Sequence, residues 1–326
     1  MAHEVESMFY VGETPWHGLG VELKTPPTAK EAIIAAGLDW AVEKRPLFAC
    51  DKEKDGSPVI EVPTHEAIVR TTDDRVLGVV GGSYVPVQNV EAFEFMDTLV
   101  TEGKMSYHVA GSLRQGQRIW ILGKIGRTDI VKNDPIDKYL LLYNCHDGSG
   151  ALRALETVIR VVCANTARAA LEGGKGEGFY FRHTTNVKNR IEQARKALGL
   201  AQMEFDKFVD FAKATAKLKM KAKDIEKFTN TLIPDNPELE SNTRAENKRT
   251  ELLELIETGT GQDIPGVRGT GWAAYGGVVE YVNFKRSTRG AEDERQAARF
   301  ESSLFGSGNN LVGAAIADLQ TRIKAA

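Results

Sequence analysis

The chain has three cysteines in 326 residues, Cys50, Cys145 and Cys163. An odd, sparse set in a chain this long does not make a disulfide framework, and it reads as reduced thiols of a cytosolic protein. No run of 18 apolar residues occurs, which excludes a membrane-spanning helix of ordinary length. Met1 to Phe9 carries two acids and no basic or apolar block, unlike a secretory signal. Gly-x-Gly-x-x-Gly, His-Glu-x-x-His, Gly-x-Ser-x-Gly and Cys-x-x-Cys are all missing. Gly173-Gly-Lys-Gly176 falls short of a phosphate-binding loop, with Ala169 where the first glycine belongs and Gly176 where Ser or Thr does. These gaps leave no complete enzymatic signature and imply no cofactor.

What is present is an ordinary globular composition, 42% hydrophobic and 27% charged, with a formal net charge of −3. The charge is uneven. Ala151–Lys223 holds 15 Lys/Arg against 7 Asp/Glu, a local +8, so the remainder carries −11. A basic centre in an acidic chain points to an anionic partner at one face; a solvated, lysine-rich helix is the plainer account of it.

Thr28-Ala-Lys-Glu31 is a capping-box pattern opening a helix through Ala36. Strands are expected over 40–49 and 65–80, the second folded at Asp73-Asp74. A helix capped by Asn89 should follow, with Val90, Phe93, Met96, Leu99 and Val100 as its apolar set and Gly103 as its stop. Further strands are expected at 106–112, 118–126, 139–144, 157–163 and 179–183, with a turn at Gln115-Gly116 and a short helix from Asn165 to Leu171. From Val187 the period changes. Val187, Ile191, Ala194, Leu198, Ala201, Phe205, Phe208 and Ala212 alternate in steps of four and three, a heptad-like seam for a helix toward Lys221. Helices around 224–232, 243–258, 272–284, 291–304 and 311–323 complete the chain. The expected fold is α+β: an antiparallel or mixed sheet with crossing helices over residues 1–185, then a mainly helical region, 186–326, packed on its own or on the same core.

Asn144-Cys-His-Asp-Gly-Ser-Gly150 is the densest polar cluster. Zinc on Cys145, His146, Cys163 and His183 would have suitable ligand types at unsuitable spacing. A Cys or Ser nucleophile with His146 and Asp147 would need a base and its orienter adjacent in sequence, an awkward geometry. A tight turn at Asp147-Gly-Ser149 accounts for those three residues without chemistry. Neither a metal site nor a catalytic residue is therefore assigned.

Arg160 lies inside the apolar stretch Val158-Ile-Arg-Val-Val162. A charge there needs an anion, supplied by a carboxylate such as Glu156 or by a phosphate. Arg153 and Arg168 flank it, and Arg182, Lys188 and Arg190 follow the aromatic run Phe179-Tyr-Phe181. Cations interleaved with rings suit single-stranded nucleic acid, in which charge tracks the backbone and rings stack bases. Tyr180 and Trp272 are the expected stacking residues.

Several motifs carry a resemblance. Trp16-His-Gly-Leu-Gly20, Tyr84-Val-Pro-Val-Gln-Asn89, Ala110-Gly-Ser112 with Gly116 and Trp120, His146-Asp-Gly-Ser149, Arg160-Val-Val-Cys-Ala-Asn-Thr166, Arg182-His-Thr184 and Gly271-Trp-Ala-Ala-Tyr275 resemble a phage- and plasmid-borne family, domain of unknown function 932. The architecture also resembles phage single-strand annealing proteins of the RecT, Redβ and Erf kind, which implies homo-oligomers that hold single-stranded DNA in a basic groove without a cofactor. The expectation is thus a single-stranded DNA-binding or annealing protein with Arg153, Arg160, Arg168, Tyr180, Arg182, Lys188, Arg190 and Trp272 at its interface. The alternatives are a metal-dependent hydrolase centred on His146, Asp147 and Cys163, and an anti-defence protein whose acidic surface binds a host enzyme.

Overall fold

The computed structural model describes residues 5–12, 19–50, 59–160, 165–168, 179–197, 202–238, 241–287 and 292–326. The elements, in order, are β1 (Val5–Val11), β2 (Val21–Leu23), α1 (Ala29–Ala35), β3 (Val42–Ala49), β4 (Ile60–Arg70), β5 (Arg75–Gly81), α2 (Asn89–Thr101), β6 (Ser106–Leu113), β7 (Arg118–Val131), β8 (Asp134–Cys145), β9 (Leu152–Arg160), β10 (Asn165–Arg168) and β11 (Phe179–Phe181). Helices follow: α3 (Val187–Ala197), α4 (Gln202–Lys217), α5 (Ala222–Leu232), α6 (Thr243–Thr258), α7 (Gly271–Glu280) continuing into a π-helical turn Tyr281–Lys285, α8 (Glu292–Phe305) and α9 (Ser307–Ala325). Eight strands form a mixed sheet in the order β10-β9-β8-β7-β6-β1-β2, with β11 also on β9; β3-β4-β5 form a second sheet. The α+β class and the helical second half stand as the sequence implied.

Two compact units arise, neither of them continuous in sequence. The first comprises residues 1–125, 140–155 and 178–199, the second 126–139, 156–177 and 200–326. The boundary expected at 185 thus falls inside the first unit.

Local chemistry explains the elements of the first unit. Thr28 caps α1, its hydroxyl accepting from the Glu31 N–H while the Glu31 carboxylate takes the Thr28 N–H at 2.9 Å. The β4–β5 turn places Asp74 at φ 55°, and the β6–β7 turn places Gln115 and Gly116 at φ 57° and 89°, geometries that Asp and Gly tolerate. α2 begins at Asn89, but the Glu91 carboxylate secures its start by accepting the Gln88 N–H at 2.9 Å. Asn89 is not the cap: its side chain turns inward. The core gathers Phe9, Leu38, Trp40, Ile68, Leu77, Phe93, Phe95, Met96, Tyr107, Leu140, Leu142 and Phe181, all buried.

In the second unit, α7 carries Gly271, Ala273, Ala274, Gly276 and Gly277 in one turn-dense run, all buried. A Cβ on Gly277 would lie 2.9 Å from the Ile256 nitrogen, so α6 and α7 approach closely only because that residue is glycine. Trp272 and Tyr275 stack at 5.3 Å, and Phe208 and Phe211 each meet Tyr275 edge-on at 5.9 Å.

One expectation fails. Asn165–Arg168 is a strand, not the start of a helix, because Thr157–Arg160 offers it an antiparallel partner in register. Described parts of the seam from Val187 to Ala212 fall on α3 and α4; residues 198–201 between them, Leu198 and Ala201 included, lie outside the described residues. β7 and β8 also run to Val131 and back from Asp134, beyond the strands expected at 118–126 and 139–144.

Candidate nucleic-acid interface

β11 has a core face and a solvent face. Phe179 and Phe181 stack in parallel at 6.1 Å, and Phe95 meets each edge-on. Alternation then turns Tyr180 outward, where it is 45% exposed, a high value for a tyrosine in a strand. β11 pairs antiparallel with the start of β9, setting Tyr180 opposite Arg153. The Arg153 guanidinium lies over the Tyr180 ring, 5.3 Å from its centroid. From α3, Arg190 donates to the Tyr180 carbonyl at 3.1 Å and sits 5.9 Å from the Phe181 ring. Arg182 is exposed, with no ion pair among the described residues. Lys188 is exposed and pairs with Glu91 of α2 at 2.5 Å.

Five expected residues, Arg153, Tyr180, Arg182, Lys188 and Arg190, therefore belong to one corner of the first unit. Arg160 and Arg168 end β9 and β10 in the second, paired through their backbones with Asn165 and Thr157; their side chains lie outside the described residues. Trp272 does not belong to an interface. It is 1% exposed, and its indole N–H donates to the Asp134 carboxylate at 2.7 Å. No ring face is left for a base, so the stacking role expected of Trp272 is corrected to a core one.

Behind this corner lies a buried polar cluster in the same unit. The Asn89 side-chain amide donates to the Leu38 and Trp40 carbonyls at 3.0 and 3.2 Å. Its oxygen must then accept from His146 Nε2, 2.9 Å away, which leaves His146 Nδ1 as a bare lone pair. Nδ1 is buried without a hydrogen-bond partner. His183 Nδ1 donates to the Val85 carbonyl at 3.1 Å, so its Nε2 is the bare nitrogen, also buried and partnerless. Asn144 donates to the Val87 carbonyl at 3.2 Å, and its side-chain oxygen has no partner. Burial pushes His146 down to about 3, aided by the neighbouring His183 charge. Burial also lowers His183 and outweighs its Val85 bond. Both rings are neutral at pH 7.

Arg118, 6% exposed, meets Asp147 at 2.5 Å and Ser149 at 2.7 Å. Burial works to raise the Asp147 carboxyl, but Arg118 and the Ser149 N–H outweigh it and hold it below the ordinary value. Asp147-Gly-Ser149 is the expected turn, with Gly148 at φ 76° and the Ser149 N–H on the Asp147 carboxylate at 2.9 Å. His146 makes no hydrogen bond to Asp147 or Ser149, so no base–orienter chain forms. No group of three His, Cys, Asp or Glu side chains suited to a metal occurs among the described residues; Cys163 lies outside them. No described helix is long and apolar enough to cross a membrane.

Sequence reading missed Arg118 and Asn89. Tyr84-Val-Pro-Val-Gln-Asn89 stood out as a motif, but nothing local marks Asn89 as inward-facing or pairs Arg118 with a carboxylate 29 residues away.

Fold and site together define an α+β protein of two units interleaved in sequence, the first with a cationic, tyrosine-bearing strand and a buried histidine cluster. The chain belongs to the family described as Domain of unknown function (DUF932), whose model matches residues 76–304 and so takes in parts of both units. No curated protein and no solved structure matches it.

Proposed function

We propose that the chain binds single-stranded DNA at the corner formed by β9, β11 and α3, and that it anneals or coats that strand as a homo-oligomer without a cofactor, in the setting of a phage or plasmid. The observation that carries this reading is the half-exposed Tyr180 ring backed by the Arg153 guanidinium, with Arg182 and Arg190 beside it. One ring face is covered by a cation and the tyrosine remains open to solvent, an arrangement suited to stacking an unpaired base. Such stacking contributes roughly 1–3 kcal/mol per base. The flanking cations suit the phosphates on either side of it.

Fluorescence anisotropy with a labelled oligonucleotide of about 30 nucleotides tests the reading. If Arg153, Arg182, Lys188 and Arg190 each neutralise a phosphate, the single-strand slope of about 0.7 per contact weakens binding roughly 50-fold between 50 and 200 mM salt. Tyr180→Ala should cost about tenfold in affinity while leaving the salt slope unchanged, because stacking releases no counterion. Salt-independent binding, or none at 50 mM, refutes the proposal.

A further inference from the structure

We infer that His183 is a positioning residue for the proposed DNA-binding corner: its ring and backbone latch the end of β11 to Tyr84 and Val85, and the latch opens when the ring takes a proton. The inference rests on the nucleic-acid reading for its consequence, though not for its geometry.

The latch has three parts. His183 Nδ1 donates to the Val85 carbonyl at 3.1 Å, and the Val85 N–H returns a bond to the His183 carbonyl at 3.0 Å. The imidazole lies flat on the Tyr84 ring, centroids 4.6 Å apart and planes 18° from parallel. Tyr84 is itself fixed, its hydroxyl donating to the Cys145 carbonyl at 3.0 Å. His183 directly follows the exposed Arg182 and stands three residues after Tyr180. It also leads into α3 through the Thr184 N–H on the Arg182 carbonyl at 2.8 Å and the Val187 N–H on the Thr184 carbonyl at 2.8 Å. β11 is only three residues long. Its three ladder pairs, all with β9, end at Phe181, so the His183 contacts hold its exit and set where Tyr180 and Arg182 stand.

Protonation attacks this arrangement at Nε2, which is buried with no acceptor. A buried imidazolium whose second N–H finds no partner is costly, and opening the segment to water relieves it. Among the described residues no carboxylate is bonded to the ring to offset that cost. Tyr84 presents its ring face, and its hydroxyl is engaged with the Cys145 carbonyl. His146 on β8 is neutral, and its bare Nδ1 makes no hydrogen bond to His183. Asp147 is tied to Arg118 of β7 and to Ser149. Glu91 of α2 is engaged by Lys188 of α3 and by the Gln88 N–H, and Arg182 beside the latch is cationic. A histidine touching phosphate would strengthen binding on acidification; the latch makes the opposite prediction for this corner.

Amide exchange on the full-length chain reads the latch directly. Opening of residues 182–187, read as protection corrected for intrinsic exchange, should rise from pH 7.5 to 5.0 by at most about 30-fold, because the opened state takes the proton more readily, with an ordinary pKa near 6.5. In His183→Phe, which keeps a ring on Tyr84 and cannot titrate, that pH dependence should vanish. A flat wild-type profile, or the same slope in His183→Phe, overturns the latch. Should His183→Phe fail to fold, imidazole NMR of the wild type decides: a His183 ring titrating at or above pH 6.5 in the folded chain overturns it. Affinity for the 30-nucleotide strand should fall between pH 7.5 and 5.0 in the wild type and stay level in His183→Phe. If the strand binds at neither pH the DNA reading fails, while the exchange result still judges the latch.

Discussion

The His146 ring should make the whole protein acid-sensitive well above the pH at which carboxylates titrate. The ring is fully buried, its Nε2–H is committed to Asn89, and its Nδ1 has no partner to receive a proton's charge. Burial holds the folded pKa at about 3, whereas an unfolded histidine titrates near 6.5. Between those values the unfolded chain binds a proton that the folded chain refuses. Unfolding therefore takes up protons, and stability rises with pH through that window and is lost as pH falls below about 6.5. At pH 5.0 the unmatched proton costs about 2 kcal/mol from His146 alone. This figure depends on the folded pKa only in being well below 5. His183, shifted in the same direction, adds to it. Asp73 and Asp147, whose folded values are depressed, contribute nothing over this range, since they are ionised in both states until pH approaches 4. Urea denaturation at pH 7.0 and 5.0 measures the difference, and His146→Gln, whose amide can still donate to Asn89, should remove about 2 kcal/mol of it. A wild-type stability unchanged within about 0.5 kcal/mol between the two pH values refutes the reasoning, because a neutral buried imidazole cannot be pH-indifferent in that interval.

Gly78→Ala should destabilise by about 2–3 kcal/mol, since the added methyl would lie 2.5 Å from the Asp147 Cα and 2.6 Å from its carbonyl oxygen, both backbone atoms that cannot step aside. Gly81→Ala on the same strand meets nothing within 4 Å and should change stability by no more than about 0.5 kcal/mol, so equal losses in the pair would contradict the packing. Trp272→Phe removes the donor to the buried Asp134 carboxylate and should cost about 2–4 kcal/mol in thermal or urea unfolding while leaving oligonucleotide affinity within twofold. A selective loss of affinity in a stably folded Trp272→Phe would restore the stacking role.

What could be seen in the sequence was what neighbours in sequence decide. The Thr28 capping box, the Asp73-Asp74 turn and the Gln115-Gly116 turn all rest on side chains and φ angles within a few residues of one another. Asn165 shows the limit. Its cap signal is genuine, but a strand eight residues earlier offers a full antiparallel register, and a ladder of four pairs outweighs one capping bond. The ends of β7 and β8 were hidden for a related reason. Arg127-Thr-Asp129 is polar and reads as loop, yet its strand is held by the returning one and by the Arg127 bonds to Asp137 at 2.6 and 3.0 Å. Of the site, Phe179-Tyr-Phe181 was legible because strand alternation alone separates its core and solvent rings. Trp272 misled because a tryptophan amid glycine and alanine can serve a surface platform or a tightly packed helix, and only Asp134, 138 residues away, separates the two.

The buried cluster has a structural reason. Residues 84–88, between β5 and α2, belong to no helix or strand, so their backbone groups find no ladder. Side chains and distant backbone supply the partners instead. Val85 is satisfied on both sides by His183, its carbonyl by the ring and its N–H by the backbone. The Val87 carbonyl is met by Asn144. The Gln88 side chain closes both the N–H and the carbonyl of Val42 at 2.9 Å. Asn89 then ties the segment to Leu38, Trp40 and His146. An irregular segment threaded through a core can be kept only by such polar side chains, and their spare acceptor atoms are the residue of that requirement. The same account explains why motifs far apart in the chain, Tyr84–Asn89, Asn144–Ser149 and Arg182-His-Thr184, meet in one place. The histidines fix the scaffold, and the surface proposed here for single-stranded DNA lies one layer out, on Tyr180 and the arginines beside it.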